Sequence, residues 1–87
     1  PATYNNLTGM IATQGLISRD GISPLSYSRD RAGILCRTIA DTALVMETLV
    51  GYDPKDAVTA VASGVKSQFR RATGSKTLAG KRLGLCD

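Results

Sequence analysis

Ser18, Ser23, Ser26 and Ser28 place their hydroxyls in one stretch of the chain and are the first candidates for chemistry. A serine becomes a nucleophile only with a base in hydrogen-bond reach and with donors placed for an oxyanion. The chain contains no histidine, so the base would have to be a lysine whose pKa is lowered by desolvation. None of Lys55, Lys66, Lys76 and Lys81 lies in an apolar setting that would do this. Asp20 and Asp30 share a loop with Arg19, Arg29 and Arg31, which favours structural ion pairing over acid–base work. Gly15 and Gly21 are not spaced as a phosphate-binding loop. The residues therefore assign no catalytic group, no metal ligand and no cofactor, and they pick out no substrate pocket.

The elements that carry these residues are a long loop and a helix. Gly15 to Arg37 is a glycine-punctuated connection rich in Ser and Arg, in which Gly15 and Gly21 read as positions of positive φ or close backbone approach. Pro24 pushes Ser23 toward an extended conformation. The loop delivers the chain into an amphipathic helix that begins near Thr38 and stops at Gly51. Thr38 and Asp41 have the spacing of an N-cap hydroxyl and an acidic N3 residue, and Asp41 also complements the helix dipole. Ile39, Ala43, Met46 and Val50 recur at helical spacing, widened by Ala40, Leu44 and Leu49, so this face must be covered. Gly51 suits the C′ position, and Met46 reads as core packing.

The remaining segments are less sharply patterned. Residues 1–9 suit a short helix stopped at Gly9, and Met10-Ile11-Ala12-Thr13 suits a brief buried strand. Leu16 to Arg19 reads as a short extended piece. Asp53-Pro54-Lys55-Asp56 reads as a turn or a fresh helix start, Ser67 to Arg71 as a helical turn, and Leu83-Gly84-Leu85 as a strand. The expected organisation is thus one partial domain: 1–37 short helix and extended loop, 38–51 amphipathic helix, 52–80 turn and basic linker, 81–87 strand.

Composition limits the function classes. The net charge is +4, but from Pro1 to Gly64 the charges nearly cancel, and the surplus lies in Lys66, Arg70, Arg71, Lys76, Lys81 and Arg82. That patch is sparse and carries no aromatic ladder beyond Phe69, so a solvated surface is expected rather than nucleic-acid binding. No run of about 18 apolar residues suggests a membrane span. Cys36 and Cys86 are too few and too scattered for a disulfide framework or a zinc site, and they read as buried or half-buried thiols of a cytoplasmic protein. An irregular stretch this long in 87 residues argues against a self-contained domain. With Pro1 at one end and the apolar Leu83-Gly84-Leu85-Cys86 near the other, a segment of a longer protein is expected.

The order of the motifs resembles the amidase signature hydrolases. The residues that carry the resemblance are Pro1-Ala2, Gly9, Thr13, Gly15, Ser18-Arg19, Gly21, Pro24-Leu25, Ser28, Asp30, Gly33, Arg37-Thr38, Asp41, Gly51, Asp53-Pro54, Asp56 and the run Leu78-Ala79-Gly80-Lys81-Arg82-Leu83-Gly84. They match that family's segment immediately downstream of its Gly-Gly-Ser signature. Departures are Ile11 and Ala12 in place of a basic residue and proline, Asn6 in place of glycine and Ile34 in place of proline.

The resemblance implies an α/β fold: part of an amidase signature α/β/α sandwich with a mixed central sheet. It implies hydrolysis of a carbon–nitrogen amide bond through an acyl-enzyme, by a serine, a second serine in a cis peptide bond and a lysine, all lying before Pro1. These 87 residues alone would then be inactive. The implied partners are the remainder of the amidase domain and a small-molecule amide, with a homodimer of the complete enzyme allowed. Two other readings stay open: the glutaminase subunit of a tRNA-dependent amidotransferase, and a non-catalytic amidase-like scaffold or binding module.

Overall fold

A computed structural model of the chain describes residues 1–65 and 68–86. Its centre is the helix α1, Ile39–Leu49. The Thr38 hydroxyl accepts from the Asp41 N–H at 3.1 Å, closing the first turn as the sequence predicts, and Val50 is the C-cap. Thr42, Ala43 and Met46 form the buried face, with Met46 only 1% exposed. The apolar stripe is wider than the face that is covered. Ile39, Leu44 and Leu49, expected to pack, are largely exposed.

Against α1 lies a two-stranded antiparallel sheet of β1, Thr8–Ile11, and β2, Gly33–Cys36, paired Thr8 to Cys36 and Ile11 to Gly33 at its ends. Helices and a small sheet together make an α/β arrangement. Side chains alternate across a strand, so Ile34 points inward and joins Ala12, Ile17 and Met46 in the core, while Leu35 points out. Opposite Leu35 and Ile11 stand Gly9 and Gly33, leaving an apolar groove of about 470 Å³ on the outer face of the sheet.

Three expectations are corrected in the N-terminal third. The first helix is a single 3-10 turn, Thr3–Asn5, and it ends at Asn6, whose φ of 53° is left-handed; Gly9 is inside a strand instead. The strand begins two residues before the expected Met10 and is mostly exposed, its outer face bordered by Pro1, Ala2 and Thr3. The loop from Gly15 to Arg37 ends in β2, which pairs across more than twenty residues with β1.

Beyond α1 the chain turns back on the loop. Val50 bridges Ile17, and the Gly51 N–H donates to the Leu16 carbonyl at 3.1 Å. Residues Asp53 to Asp56 form a turn that feeds a 3-10 segment, Ala57–Ala62. Gly15 is needed at this junction: its φ is +88°, and a Cβ would lie 2.6 Å from both the Val58 carbonyl oxygen and a Val61 methyl. A short helix α2, Phe69–Thr73, follows, and Phe69 packs on the core while the Arg70 N–H donates to the Glu47 carboxylate at 3.2 Å. This is the helical turn expected from Ser67, a residue that, like Lys66 and Asp87, lies outside the described residues. The strand expected over 81–87 is not formed across 81–86: Leu83 and Leu85 are 76% and 95% exposed, and no neighbouring strand among the described residues offers them a ladder.

Candidate functional site

The polar groups of the loop converge on the turn after α1. Ser18 and Arg19 follow the Ile17 bridge and face Asp53 and Asp56. The Arg19 guanidinium grips Asp56 with two parallel bonds, Nε to Oδ2 and Nη2 to Oδ1, each 2.9 Å, and the Arg19 backbone N–H adds a third at 3.0 Å. Its remaining arm, Nη1, donates to the Tyr27 carbonyl at 2.7 Å, and the guanidinium carbon sits 4.9 Å from the centre of the Tyr27 ring. Asp56 is 7% exposed, so a carboxylate buried with this partner stays ionised: the Arg19 side-chain bond holds its pKa far below the usual carboxylate range. The same bond raises the pKa of Arg19.

Beside this clamp the Ser18 hydroxyl donates to Asp53 Oδ2 at 2.6 Å, while Asp53 Oδ1 accepts from the Lys55 N–H at 2.9 Å. Both bonds favour the ionised carboxylate and lower the pKa of Asp53, the Ser18 bond most. Thr59, fully buried, accepts from the Asp53 N–H at 2.8 Å and donates to the Asp56 carbonyl at 2.7 Å, which fixes the turn from beneath.

This arrangement corrects the pairing expected within the loop. Arg19 reaches across to Asp56 rather than to Asp20 or Asp30. Asp20 pairs with Lys55 at 3.4 Å on the surface. The Asp30 carboxylate caps the loop itself, accepting from the Leu25 N–H at 2.8 Å and the Ser26 N–H at 3.0 Å. The cysteines differ as well: Cys36 is half-buried, whereas Cys86 is exposed. Nothing in the sequence pairs Arg19 with Asp56 or Ser18 with Asp53, although all four stand among the residues that carry the family resemblance. Their spacing does not reveal that the Ile17–Val50 bridge brings the two motifs side by side.

Chemically the cluster is a clamp. Ser18 faces a carboxylate of depressed pKa, which is a poor proton acceptor, and none of these bonds points a backbone N–H at a shared position for an oxyanion. Among the described residues no group of His, Cys, Asp and Glu is arranged to hold a metal ion. A shallow cleft of about 160 Å³ opens between loop and turn, lined by Arg19, Ile22, Pro24, Tyr27, Lys55 and Asp56.

The chain is similar to known proteins along most of its length. The amidase family profile matches residues 1–87. The chain is 40% identical over 90 residues to a protein of Arabidopsis thaliana described as a probable amidase, a match covering 98% of this chain and 17% of that one. It is 52% identical over 56 residues to a glutamyl-tRNA(Gln) amidotransferase subunit of Desulfotalea psychrophila, covering 64% and 12%. With the corresponding amidotransferase subunit of Cupriavidus metallidurans the identity is 36% over 95 residues, covering 98% and 19%. No solved structure gives a significant match. The chain belongs to the amidase family. It spans less than a fifth of the length of these relatives.

Proposed function

We propose that these residues support the hydrolysis of a carbon–nitrogen amide bond, as a segment of an amidase domain whose nucleophile lies outside them. The observation that carries this reading is that the family match runs the full 87 residues, while Ser18, Asp53 and Asp56 are committed to holding loop and turn together. In the mechanism implied by the resemblance, a serine activated through a cis-serine and a lysine attacks the amide carbonyl, the amine leaves, and water hydrolyses the acyl-enzyme. α1 would pack on the central sheet of an α/β/α sandwich, and the Gly15–Gly33 loop, held by the clamp, would brace the loop bearing the nucleophile. Arg19, Asp56 and Asp30 are then positioning residues.

The test uses the complete protein. Incubated with a panel of aliphatic and aromatic amides, it should release ammonia or amine, and it should be labelled by a fluorophosphonate on a serine outside residues 1–87. Absence of both would overturn the hydrolase reading in favour of an amidase-like scaffold. A second reading within the family is the glutaminase subunit of a tRNA-dependent amidotransferase, favoured by the amidotransferase relatives. Glutamine as the preferred amide, with turnover dependent on co-purifying proteins, would select it.

A further inference from the structure

Between Arg19 and Ala32 the chain leaves the core and returns to it. We propose that residues 20–31 form a strap closed by one two-armed latch, Arg19, and that the strap opens as a local unit while the core of β1, β2 and α1 stays folded.

The strap contributes little to the core. Ile22, Leu25 and Tyr27 are 49%, 95% and 77% exposed, and only Ser26 and Asp30 are half-buried. Its internal bonds are short in range. The Arg29 and Asp30 N–H groups donate to the Ser26 carbonyl at 3.0 and 2.8 Å, and the Asp30 carboxylate caps Leu25 and Ser26 from the other side. Residues 25–30 are thus one turn closed by short-range bonds, and the docking of the strap keeps these bonds formed. Among the described residues, the hydrogen bonds and ion pairs that join this strap to the turn after α1 pass through Arg19, through the exposed Lys55–Asp20 pair, or, at the foot of the strap, through the Ser18 hydroxyl, which accepts from the Asp20 N–H at 3.1 Å and donates to Asp53. An ion pair exposed on both sides contributes little, because water and salt screen it. Arg19 is different. One edge of its guanidinium is fixed on Asp56, and the opposite arm holds the Tyr27 carbonyl, so a single planar group spans from turn to strap. Only the arginine fork can do both at once.

The hinge is visible beside the latch. Gly21 has a φ of +81°, and nothing lies within 4 Å of where a Cβ would stand, so the position is constrained by backbone direction rather than by packing. A segment with few buried apolar contacts and one strong tertiary tie opens at lower free energy than the core beside it. The cleft of about 160 Å³ between strap and turn is the space that such opening uncovers.

Hydrogen exchange of the complete protein, followed by mass spectrometry, tests the latch independently of any amide turnover. In the wild-type protein the Leu25, Ser26, Arg29 and Asp30 amides should share one degree of protection relative to their intrinsic exchange rates, lower than that of the α1 amides. Arg19→Gln removes both arms. Arg19→Lys keeps a charge beside Asp56 but loses the reach to Tyr27. Both should speed exchange across 20–31 by about tenfold to a hundredfold, the range expected for losing a charge-assisted bond, with α1 protection unchanged. A strap as well protected as α1 in the wild type would overturn the proposal. So would strap rates unmoved by Arg19→Lys, or strap and α1 accelerating together in that variant. If Arg19→Gln fails to fold, the wild-type rates and Arg19→Lys still decide.

Discussion

Asp56 carries more of the site than any other single residue. It is nearly buried, it accepts three bonds from Arg19, and Arg19 depresses its pKa. A carboxylate whose folded pKa lies below its unfolded value contributes stability that is complete above the unfolded value, about 3.9, and that is lost as pH falls through the folded one. Asp53, lowered by its bond from Ser18, acts with the same sign. Melting temperatures of the complete protein measured from pH 7 down to pH 2 should therefore fall below about pH 4. Asp56→Asn should melt lower than the wild type at neutral pH, since it leaves Arg19 without its ionised partner, and the two curves should converge in acid. Parallel curves would mean that Asp56 does not titrate with folding.

α1 is the element on which the rest leans, and its start is set locally. The Thr38 hydroxyl satisfies one N–H that the helix cannot satisfy itself. Thr38→Ala should cost about 1 kcal/mol of local helix stability, read as roughly fivefold faster exchange of the first-turn amides, and Thr38→Ser should restore most of it. The strands are harder to foresee than the helix. Each has four residues, too few to display a period, and their pairing joins positions that are neighbours only once the loop has closed. Leu83-Gly84-Leu85 has the composition of a strand but no neighbour to pair with among the described residues, and strand propensity without a ladder leaves backbone donors and acceptors to water.

Taken whole, the 87 residues do not close around their core. A compact monomer of 9.1 kDa would expose about 4,900 Å² and have a radius of gyration of about 12 Å. This chain exposes 7212 Å² with a radius of gyration of 14.2 Å. Much of the excess is apolar: Ile11 and Leu35 on the outer sheet face, and Ile39, Leu44 and Leu49 on α1. Expressed by itself, the chain should bind a hydrophobic dye such as anilinonaphthalene sulfonate and unfold over a broad denaturant range, and Ile11→Thr with Leu35→Thr should weaken dye binding. A sharp transition with no dye binding would show that these faces need no cover. Under the proposed function, the cover comes from the remainder of an amidase domain.

The residues by themselves determined what is local: the Thr38 cap, the helical spacing around Met46, and the left-handed positions at Gly15 and Gly21, because each depends on neighbours within a few residues. The order of motifs pointed to the family, and the match over residues 1–87 bears that out. Tertiary structure alone decided the site. Arg19 had Asp20 and Asp30 close by along the chain, yet it took Asp56, because the Ile17–Val50 bridge sets Ser18 and Arg19 against the turn that Thr59 holds from below. Charge pairing is decided by distance in space and by burial, and sequence separation reports neither.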